Sequence, residues 1–387
     1  MSEIYISDSV KYIGCDDTSI DLFESQYHVP NGVSYNSYLI LDEKIAVMDT
    51  VDRRKTQEWL SNLERELQGK TPDYLVISHL EPDHAGNIQV LAEKYPNMTL
   101  VINKLMVKML SQFFDLDMSQ RTMVVGEGDT LSLGSHTLTF VMAPMVHWPE
   151  VMVEYESSEK ILFSADGFGK FGALSASEDW DCEARRYYIN IVGKYGDKVQ
   201  ALLKKAAALD IATICPLHGP ILKENLDHYI EKYDIWSSYR PENEGVVVAY
   251  ASIHGYTAEA AKKMAEILKE EGAPKVVVYD LSRSDMAEVI EDSYRYSHLV
   301  LACATYDAGL FPVMADYLHH LEAKNFQKRT VGLIQNGSWA PLAGKKMKEI
   351  MEGLKEIKIC EPMVTIRSAM KENNIEEMRQ LAKAMLS

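Results

Sequence analysis

The feature that most restricts the fold of this chain is a regular alternation of apolar strand-like runs and helical patterns in its C-terminal part. The alternation begins at Val246, and its apolar runs read VVVAY, KVVVYDL, HLVLACATY, TVGLIQNG and EPMVTI. Each run is followed by a stretch with helical periodicity, the last of which ends near Leu386. Such alternation is typical of a doubly wound α/β fold. The sequence therefore predicts a five-stranded parallel sheet covered by helices.

The part of the chain before this alternation changes rhythm. The run SYNSYLILDEKIAVMDT predicts a strand hairpin, and a helix over 53–67, the strand YLVIS and the helix AGNIQVLAEKY follow. Short β-like runs between RTMVV and FSADG then predict a second sheet, which gives a layered αββα domain. A polar stretch at about 238–245 separates the two patterns. We therefore expect domains at 1–244 and 245–387.

The composition excludes several classes of function. The chain of 387 residues is 47% hydrophobic and 25% charged, which is typical of a globular protein large enough for two domains. Its formal net charge of −17, without a basic cluster, argues against nucleic-acid binding. The sequence has no signal-like start and no long apolar run, so we expect a cytoplasmic protein without a membrane partner. Its 5 scattered cysteines form no C-x-x-C pair and indicate reduced thiols.

The stretch ISHLEPDHAG concentrates potential metal ligands behind a buried strand. In an extended chain His79, Glu81 and Asp83 project to the same side, and His84 follows as the chain turns. Imidazole and carboxylate groups suit zinc, iron or manganese. Four ligands this close converge on one ion only with strain, whereas two ions about 3.5 to 4 Å apart would divide them. The stretch therefore predicts a binuclear metal centre.

Three further candidates follow apolar runs elsewhere in the first half: His147, Asp166 and His218. Asp166 is the best candidate for a bridging ligand, because a carboxylate can bind two cations and lower their mutual repulsion. Taken singly, a histidine or aspartate at a strand end is more often a structural residue. The other histidines lack such neighbours and are expected to have surface or local hydrogen-bonding roles: His28, His136, His228, His254, His298, His319 and His320.

Three loops at strand ends of the C-terminal half are predicted to meet at the carboxyl edge of the sheet. The first combines hydroxyls, a glycine and a helix start, which suits a phosphate group, although an ordinary turn with Thr257 as helix cap has the same pattern. In the third loop Trp339 is the better candidate for stacking on a flat cofactor. The predicted cofactor-binding residues are Ser252, Ile253, His254, Gly255, Tyr256, Thr257, Thr305, Tyr306, Asp307, Ala308, Gly309, Asn336, Gly337, Ser338 and Trp339.

These motifs resemble two known groups of proteins. H-x-E-x-D-H followed by separated His, Asp and His is similar to the metallo-β-lactamase-like pattern, whose usual H-x-H-x-D-H binds two zinc ions. Here Glu81 replaces the second histidine, which makes the site more anionic and favours iron. The second half resembles flavodoxin, which binds FMN, with His254 in place of a threonine of T/S-x-T-G-x-T. Together the two halves resemble the flavodiiron proteins, or A-type flavoproteins.

The resemblance implies the arrangement and activity of that family. One iron would be held by His79, Glu81 and His147, the other by Asp83, His84 and His218, and Asp166 would bridge them. The family reduces dioxygen to water or nitric oxide to nitrous oxide, with electrons relayed through FMN.

The resemblance also has implications for assembly, for the electron donor and for a residue beside the iron pocket. The family forms head-to-tail homodimers or dimers of dimers. Its usual donor is rubredoxin, although some archaeal relatives oxidise reduced coenzyme F420. Tyr27 aligns with a tyrosine near the iron pocket and is a catalytic candidate, whereas Ser25 falls where some members have a histidine.

Two other interpretations of the sequence stay open at this point. The chain could be a binuclear metallohydrolase with an appended flavodoxin-like module that binds no flavin. It could also be an electron carrier with a vestigial metal site, although the intact set of ligands argues against this.

Overall fold

The computed structural model describes residues 4–387, which form two compact units. The first unit contains the described residues up to Tyr188 and Asp197–Asp234, and the second contains Ile189–Gly196 and Ile235–Ser387. The predicted domain boundary at residues 244 and 245 stays a prediction. No helix within residues 4–387 is long and apolar enough to span a membrane.

The first unit is built on two larger sheets. Its strands are β1 (Val10–Tyr12), β2 (Cys15–Asp17), β3 (Leu22–Phe23), β4 (Tyr27–His28), β5 (Val33–Tyr35), β6 (Tyr38–Ile40), β7 (Ala46–Met48), β8 (Tyr74–Val76), β9 (Thr99–Asn103), β10 (Thr122–Val125), β11 (Thr130–Ser132), β12 (Thr137–Met142), β13 (Met152–Glu156), β14 (Ile161–Phe163) and β15 (Thr213–Cys215). The first sheet has the order β1-β6-β7-β8-β9-β10 and the second runs from β11 to β15 in sequence order. Strands β2 and β5, and β3 and β4, form two small pairs.

Helices connect these strands. They are α1 (Thr56–Leu67), α2 (Pro82–Ala85), α3 (Ile88–Lys94), α4 (Lys104–Phe113), α5 (Trp180–Ile191), α6 (Gly196–Ala206) and α7 (Leu226–Ser237), with 3-10 turns at Arg53–Lys55 and Ser119–Arg121. The last residues of α5 and α7, the first residue of α6 and a 3-10 turn at Gly193–Tyr195 belong to the second unit. Helix α1 shows why the helical periodicity was informative, because Trp59, Leu63 and Leu67 recur every four residues and are buried on one side. The hairpin of β6 and β7 and the helix after Arg53 confirm the predictions for this region.

The expectation of an extended chain through the clustered ligands is wrong in its second half. Glu81 is extended, with φ −60° and ψ 138°, but helix α2 begins at the next residue, Pro82. Proline fits the first turn of a helix, because its missing N–H would have no partner there in any case. The N–H groups of His84 and Ala85 both donate to the Glu81 carbonyl at 2.9 Å. This turn directs Asp83 and His84 away from the line of the strand.

The second unit is a doubly wound sheet. Its strands are β16 (Asn243–Ala251), β17 (Val276–Asp280), β18 (Tyr296–Tyr306), β19 (Gly309–Leu310), β20 (Thr330–Asn336), β21 (Lys358–Ile359) and β22 (Val364–Ile366). Its helices are α8 (Tyr256–Glu270), α9 (Met286–Arg295), α10 (Pro312–Ala323), α11 (Ala343–Glu352) and α12 (Glu372–Leu386). The parallel order is β17-β16-β18-β20-β21, and β22 also pairs with β20. The five predicted strand positions are confirmed, with two short strands at the fifth, and this order is that of flavodoxin-like folds.

Candidate active site

The seven predicted metal ligands come from the ends of strands in the first unit. His79 and Glu81 follow β8, and Asp83 and His84 lie in α2. The other three follow β12, β14 and β15 at some distance along the chain: His147, Asp166 and His218. Because loops at neighbouring strand ends meet, the fold brings together residues that are separated by more than a hundred positions. All seven side chains lie in one cluster, and their role as ligands stays a prediction.

The cluster divides into two groups. Within each group, the potential ligand atoms all lie within 4.8 Å of one another. The first group is His79, Glu81, His147 and Asp166, and the second is Asp83, His84 and His218. Helix α2 causes this division, because it turns the second half of the ligand run away from the first half. The structure therefore offers two positions for metal ions.

Asp166 faces both groups. Its Oδ2 lies 3.2 Å from Nε2 of His147, and its Oδ1 lies 3.2 Å from Nε2 of His84. The longer contacts follow the same division, with Oδ2 at 3.6 Å from His79 and Oδ1 at 3.7 Å from His218. A carboxylate in this orientation can place one oxygen on each of two ions, as a bridging ligand does.

The donor atoms of the cluster fit metal ions. Buried polar atoms normally have a hydrogen-bond partner. Within residues 4–387, several buried atoms of the cluster have no hydrogen-bond partner. They include Oδ1 and Oδ2 of Asp83, Oδ1 and Oδ2 of Asp166, and Nε2 of His84, His147 and His218. Metal ions would satisfy these atoms. The cluster contains three carboxylates beside four histidines, and this oxygen-rich set suits iron better than zinc.

The electrostatics of the cluster also favour bound cations. Burial disfavours the charge of Asp166, yet the neighbouring histidines hold its pKa well below the usual range. Burial alone would lower the pKa of His84, but Asp83 and Asp166 raise it to about 9. The carboxylates Asp166 and Glu81 likewise overcome burial and raise the pKa of His147 to about 9. The carboxylates thus retain protons on the histidines, which metal ions would displace.

A cavity of about 210 Å³ leads to the cluster, and its lining includes Glu81 and Asp83. Ser25 lies in this lining. Sequence reasoning missed other polar groups there, which are Glu24, Tyr35, Asp52 and Arg54. Acidic and basic residues in loops carry no periodic signal, and only the folded chain shows that these loops surround one opening.

Tyr27 occupies a different place from Ser25. It is buried in β4, with its ring centre 6.0 Å from that of Phe171. Burial, followed by the charge of Glu24, raises the pKa of the Tyr27 phenol. A catalytic role of Tyr27 stays a prediction.

The second unit contains a cavity of about 400 Å³ at the carboxyl edge of its sheet. Residues from all three predicted loops line it: Ser252, Ile253, His254, Tyr256, Thr257, Thr305, Asp307, Ala308, Asn336, Gly337, Ser338 and Trp339. The predicted residues Gly255, Tyr306 and Gly309 belong to the same loops without lining the cavity. Trp339 is 89% exposed, so its ring is accessible for stacking on a flat cofactor.

The first loop, which is predicted to bind phosphate, turns tightly into helix α8. Gly255 adopts φ +94° and is the residue that caps helix α8, so the alternative of Thr257 as cap is wrong. The Gly255 N–H donates to Oγ of Ser252 at 3.1 Å, which closes the loop. Sequence reasoning missed Ser368, which lines the cavity from the loop after β22 and lies 2.7 Å from Oγ of Ser338.

Each half of the chain matches a known protein family. Residues 33–219 match the model of the ODP family beta lactamase, and residues 248–380 match the flavodoxin model. The chain is similar to the uncharacterized protein MJ0732 of Methanocaldococcus jannaschii, with 30% identity over 98% of this chain and 97% of that one. It is 27% identical to the anaerobic nitric oxide reductase flavorubredoxin of Vibrio vulnificus, over 87% of this chain and 70% of that one.

Solved structures give the same result. Rubredoxin oxygen:oxidoreductase from Desulfovibrio gigas has a TM-score of 0.92 at 28% identity and covers 98% of this chain and 97% of its own. A flavo-diiron protein variant from Thermotoga maritima has a TM-score of 0.90 at 25% identity, over 100% of this chain and 98% of its own. Fold and site thus define an oxidoreductase with a metallo-β-lactamase-like and a flavodoxin-like domain. This chain belongs to the flavodiiron protein family, whose cofactors are FMN and a non-haem iron pair.

Proposed function

We propose that this chain reduces dioxygen to water, nitric oxide to nitrous oxide and water, or both. The electrons would pass through FMN from an external donor such as rubredoxin. The observation that carries the proposal is the seven-residue cluster, which divides into two groups with one oxygen of Asp166 facing each. The proposal is also supported by the names of two relatives, a nitric oxide reductase flavorubredoxin and a rubredoxin oxygen:oxidoreductase. The metallohydrolase alternative is not favoured, because these relatives are named as oxidoreductases.

The side chains of the cluster have separable tasks in this reaction. His79, Glu81 and His147 would hold one iron and Asp83, His84 and His218 the other. Asp166 would bridge the two ions and fix their separation. When bound, the paired ferrous ions supply electrons and open positions for a diatomic gas. The protein's contribution is the spacing of the ions and the charge around them.

The cavity beside the cluster would serve substrate and protons. It reaches Glu81 and Asp83 past Arg54, whose Nη2 donates to the Tyr35 hydroxyl at 2.9 Å. Both reductions consume protons, so groups that keep a proton near the cluster matter. We propose a catalytic role for Tyr27 on the family resemblance; burial raises the pKa of its phenol, so Oη stays protonated and would act as a hydrogen-bond donor rather than as the source of these protons.

We further propose a cytoplasmic head-to-tail homodimer, alone or paired into a tetramer, of chains with domains at 1–244 and 245–387. In this arrangement the FMN of one chain lies beside the iron pair of the other. The family resemblance supports this assembly. Its functional meaning is that a single chain holds both cofactors yet requires a partner to connect them.

Cofactor analysis of the purified protein tests the reaction first. We expect a yellow protein with about one FMN and about two irons per chain. After anaerobic reduction, stopped-flow mixing with dioxygen or nitric oxide should reoxidise the flavin rapidly, and the two rates give the substrate preference. A colourless, zinc-containing protein that hydrolyses esters would contradict the proposal.

A mixing experiment tests the assembly. Asp166→Asn should retain FMN and lose iron, and Ser252→Glu should retain iron and repel the FMN phosphate. Each variant alone should be inactive. In a head-to-tail dimer, co-expression should restore activity, because the FMN of one chain meets the iron pair of the other. Co-expressed variants that form mixed dimers yet stay inactive would contradict this arrangement.

A further inference from the structure

The ligand histidines have different partners behind the cluster. Nδ1 of His79 lies 2.7 Å from Oε1 of Glu150, a carboxylate. Nδ1 of His218 lies 2.7 Å from the backbone carbonyl of Ser34, a neutral group. Within residues 4–387, Nδ1 of His84 has no hydrogen-bond partner. Among these three, only the histidine of the first group has a carboxylate at Nδ1.

Glu150 is fixed in this position. Its Oε1 also accepts the N–H of Leu80 at 3.0 Å, so one carboxylate oxygen binds two adjacent residues of the ligand loop. Nδ2 of Asn103 donates to the Glu150 carbonyl at 2.5 Å, while Oδ1 of Asn103 caps helix α4. The Glu150 side chain is fully buried, so water does not compete for these bonds. This geometry is that of a group that orients a ligand.

We propose that Glu150 positions His79 and makes its metal position the more electron-rich of the two. When the pair holds one ferric and one ferrous ion, the ferric ion would lie in the position of His79, Glu81 and His147. The inference rests on the proposed function, because it requires an iron pair that changes its charge.

The physical reason is the identity of the outer partner. If Nε2 of His79 binds the metal, Nδ1 carries the proton and donates a hydrogen bond to Oε1 of Glu150. A carboxylate partner increases the donor strength of the imidazole and stabilises a higher charge on the ion. The inner ligands do not separate the two positions, because each has two histidines and one carboxylate of its own, with Asp166 shared. Among the groups that contact Nδ1 of His79, His84 and His218, Glu150 is therefore the charged one.

The test compares Glu150→Gln with a matched control. Glutamine retains an oxygen that accepts from His79 and Leu80 but removes the negative charge. Glu159→Gln is the control, because Glu159 also contacts a histidine, His136 at 3.0 Å, which is not among the ligands. Metal content is measured first, followed by the reduction potential of the iron pair and the nitrogen hyperfine couplings of the half-reduced state.

We expect Glu150→Gln to keep its iron, to be reduced at a higher potential and to change the largest histidine nitrogen coupling, which belongs to the ferric ion. Glu159→Gln should match the wild type. Glu150→Asp retains the charge with a longer contact, so its reduction potential and coupling should lie between those of the wild type and Glu150→Gln. The aspartate variant also provides the test if Glu150→Gln does not fold.

Two results would overturn the inference. A wild-type protein with two irons whose potential and couplings are unchanged by either substitution at Glu150 would refute it alone. A wild-type protein purified without iron would refute the proposed function, and this inference with it.

Discussion

Gly255 and Gly272 allow the phosphate cradle to be tested without altering any side-chain contact. Gly255 lies at the start of helix α8 with φ +94°, and Gly272 lies just after its end with φ +96°. A Cβ added at either glycine would meet nothing within 4 Å. Alanine at each position therefore introduces the same backbone strain and no clash. Only Gly255 belongs to a loop that lines the cofactor cavity.

The size of the effect follows from the strain. An L-residue held in the left-handed region costs about 1 to 2 kcal/mol. Gly272→Ala should lower the free energy of unfolding by about this amount with or without FMN, whereas Gly255→Ala should do so only with FMN bound. Without cofactor the first loop of Gly255→Ala can relax, so FMN must restore the strained conformation when it binds. Since 1.4 kcal/mol is a factor of ten, we expect roughly 5- to 30-fold weaker FMN binding.

Fluorescence titration of the apoprotein measures this effect, because flavin emission changes on binding. Gly272→Ala should bind FMN with wild-type affinity despite its lower stability. Riboflavin, which lacks the phosphate, should bind both variants and the wild type alike. If Gly272→Ala weakened FMN binding as much as Gly255→Ala, or if riboflavin lost as much affinity as FMN, the loop would not be a phosphate cradle.

Three further predictions concern the metal cluster, a titrating histidine and the core. Asp166→Asn should stay folded and lose most of its iron, because the bridging charge is gone. Circular dichroism measures the folding and metal analysis the iron; a folded variant that retains its iron would contradict this. Burial alone would lower the pKa of His136, but Glu159 and Asp42 raise it. The stabilisation by His136 is therefore complete below about pH 6.5 and is lost as the pH rises through the raised pKa. Urea unfolding of His136→Gln should thus approach the wild type at alkaline pH, and a constant difference would refute it. Arg329 is buried and donates to 5 backbone carbonyls, so Arg329→Met leaves buried acceptors without a donor and should cost about 1 to 3 kcal/mol or more in urea unfolding; an unchanged stability would contradict this.

Much of the fold could be predicted because the hydrophobic pattern is strong where elements are regular. The run from Val246 is apolar throughout because β16 is buried on both faces, and the helices that follow repeat every three to four residues. The short helix at Pro82 could not be predicted, because proline disfavours a helix interior yet fits a helix start. Four residues carry too little periodicity to decide between the two.

The site was predictable where several ligands are close in sequence and less so where single residues act. The run from His79 to His84 is visible because its four candidate ligands lie within six positions. Glu150 follows His147 by three residues and looks like any loop carboxylate. Its role depends on the approach of two loops to within 2.7 Å, which only the folded chain reveals. The same is true of Ser368, which reaches the cofactor cavity from a fourth loop.

In the proposed arrangement Glu81 and Glu150 both lie at the metal position of His79 and His147, so their charges would add there. Oε2 of Glu81 lies 3.1 Å from Nε2 of both His79 and His147, at the corner that a histidine occupies in the H-x-H-x-D-H pattern. With histidine there, the first position would have neutral ligands apart from the bridge, and Asp83 would make the second position the more anionic. Glu81 gives both positions one carboxylate each, and Glu150 then adds a charge behind the first alone. The first position would thus become the more anionic of the two. This difference matters for iron, whose charge changes in the reaction, and not for zinc, whose charge stays the same.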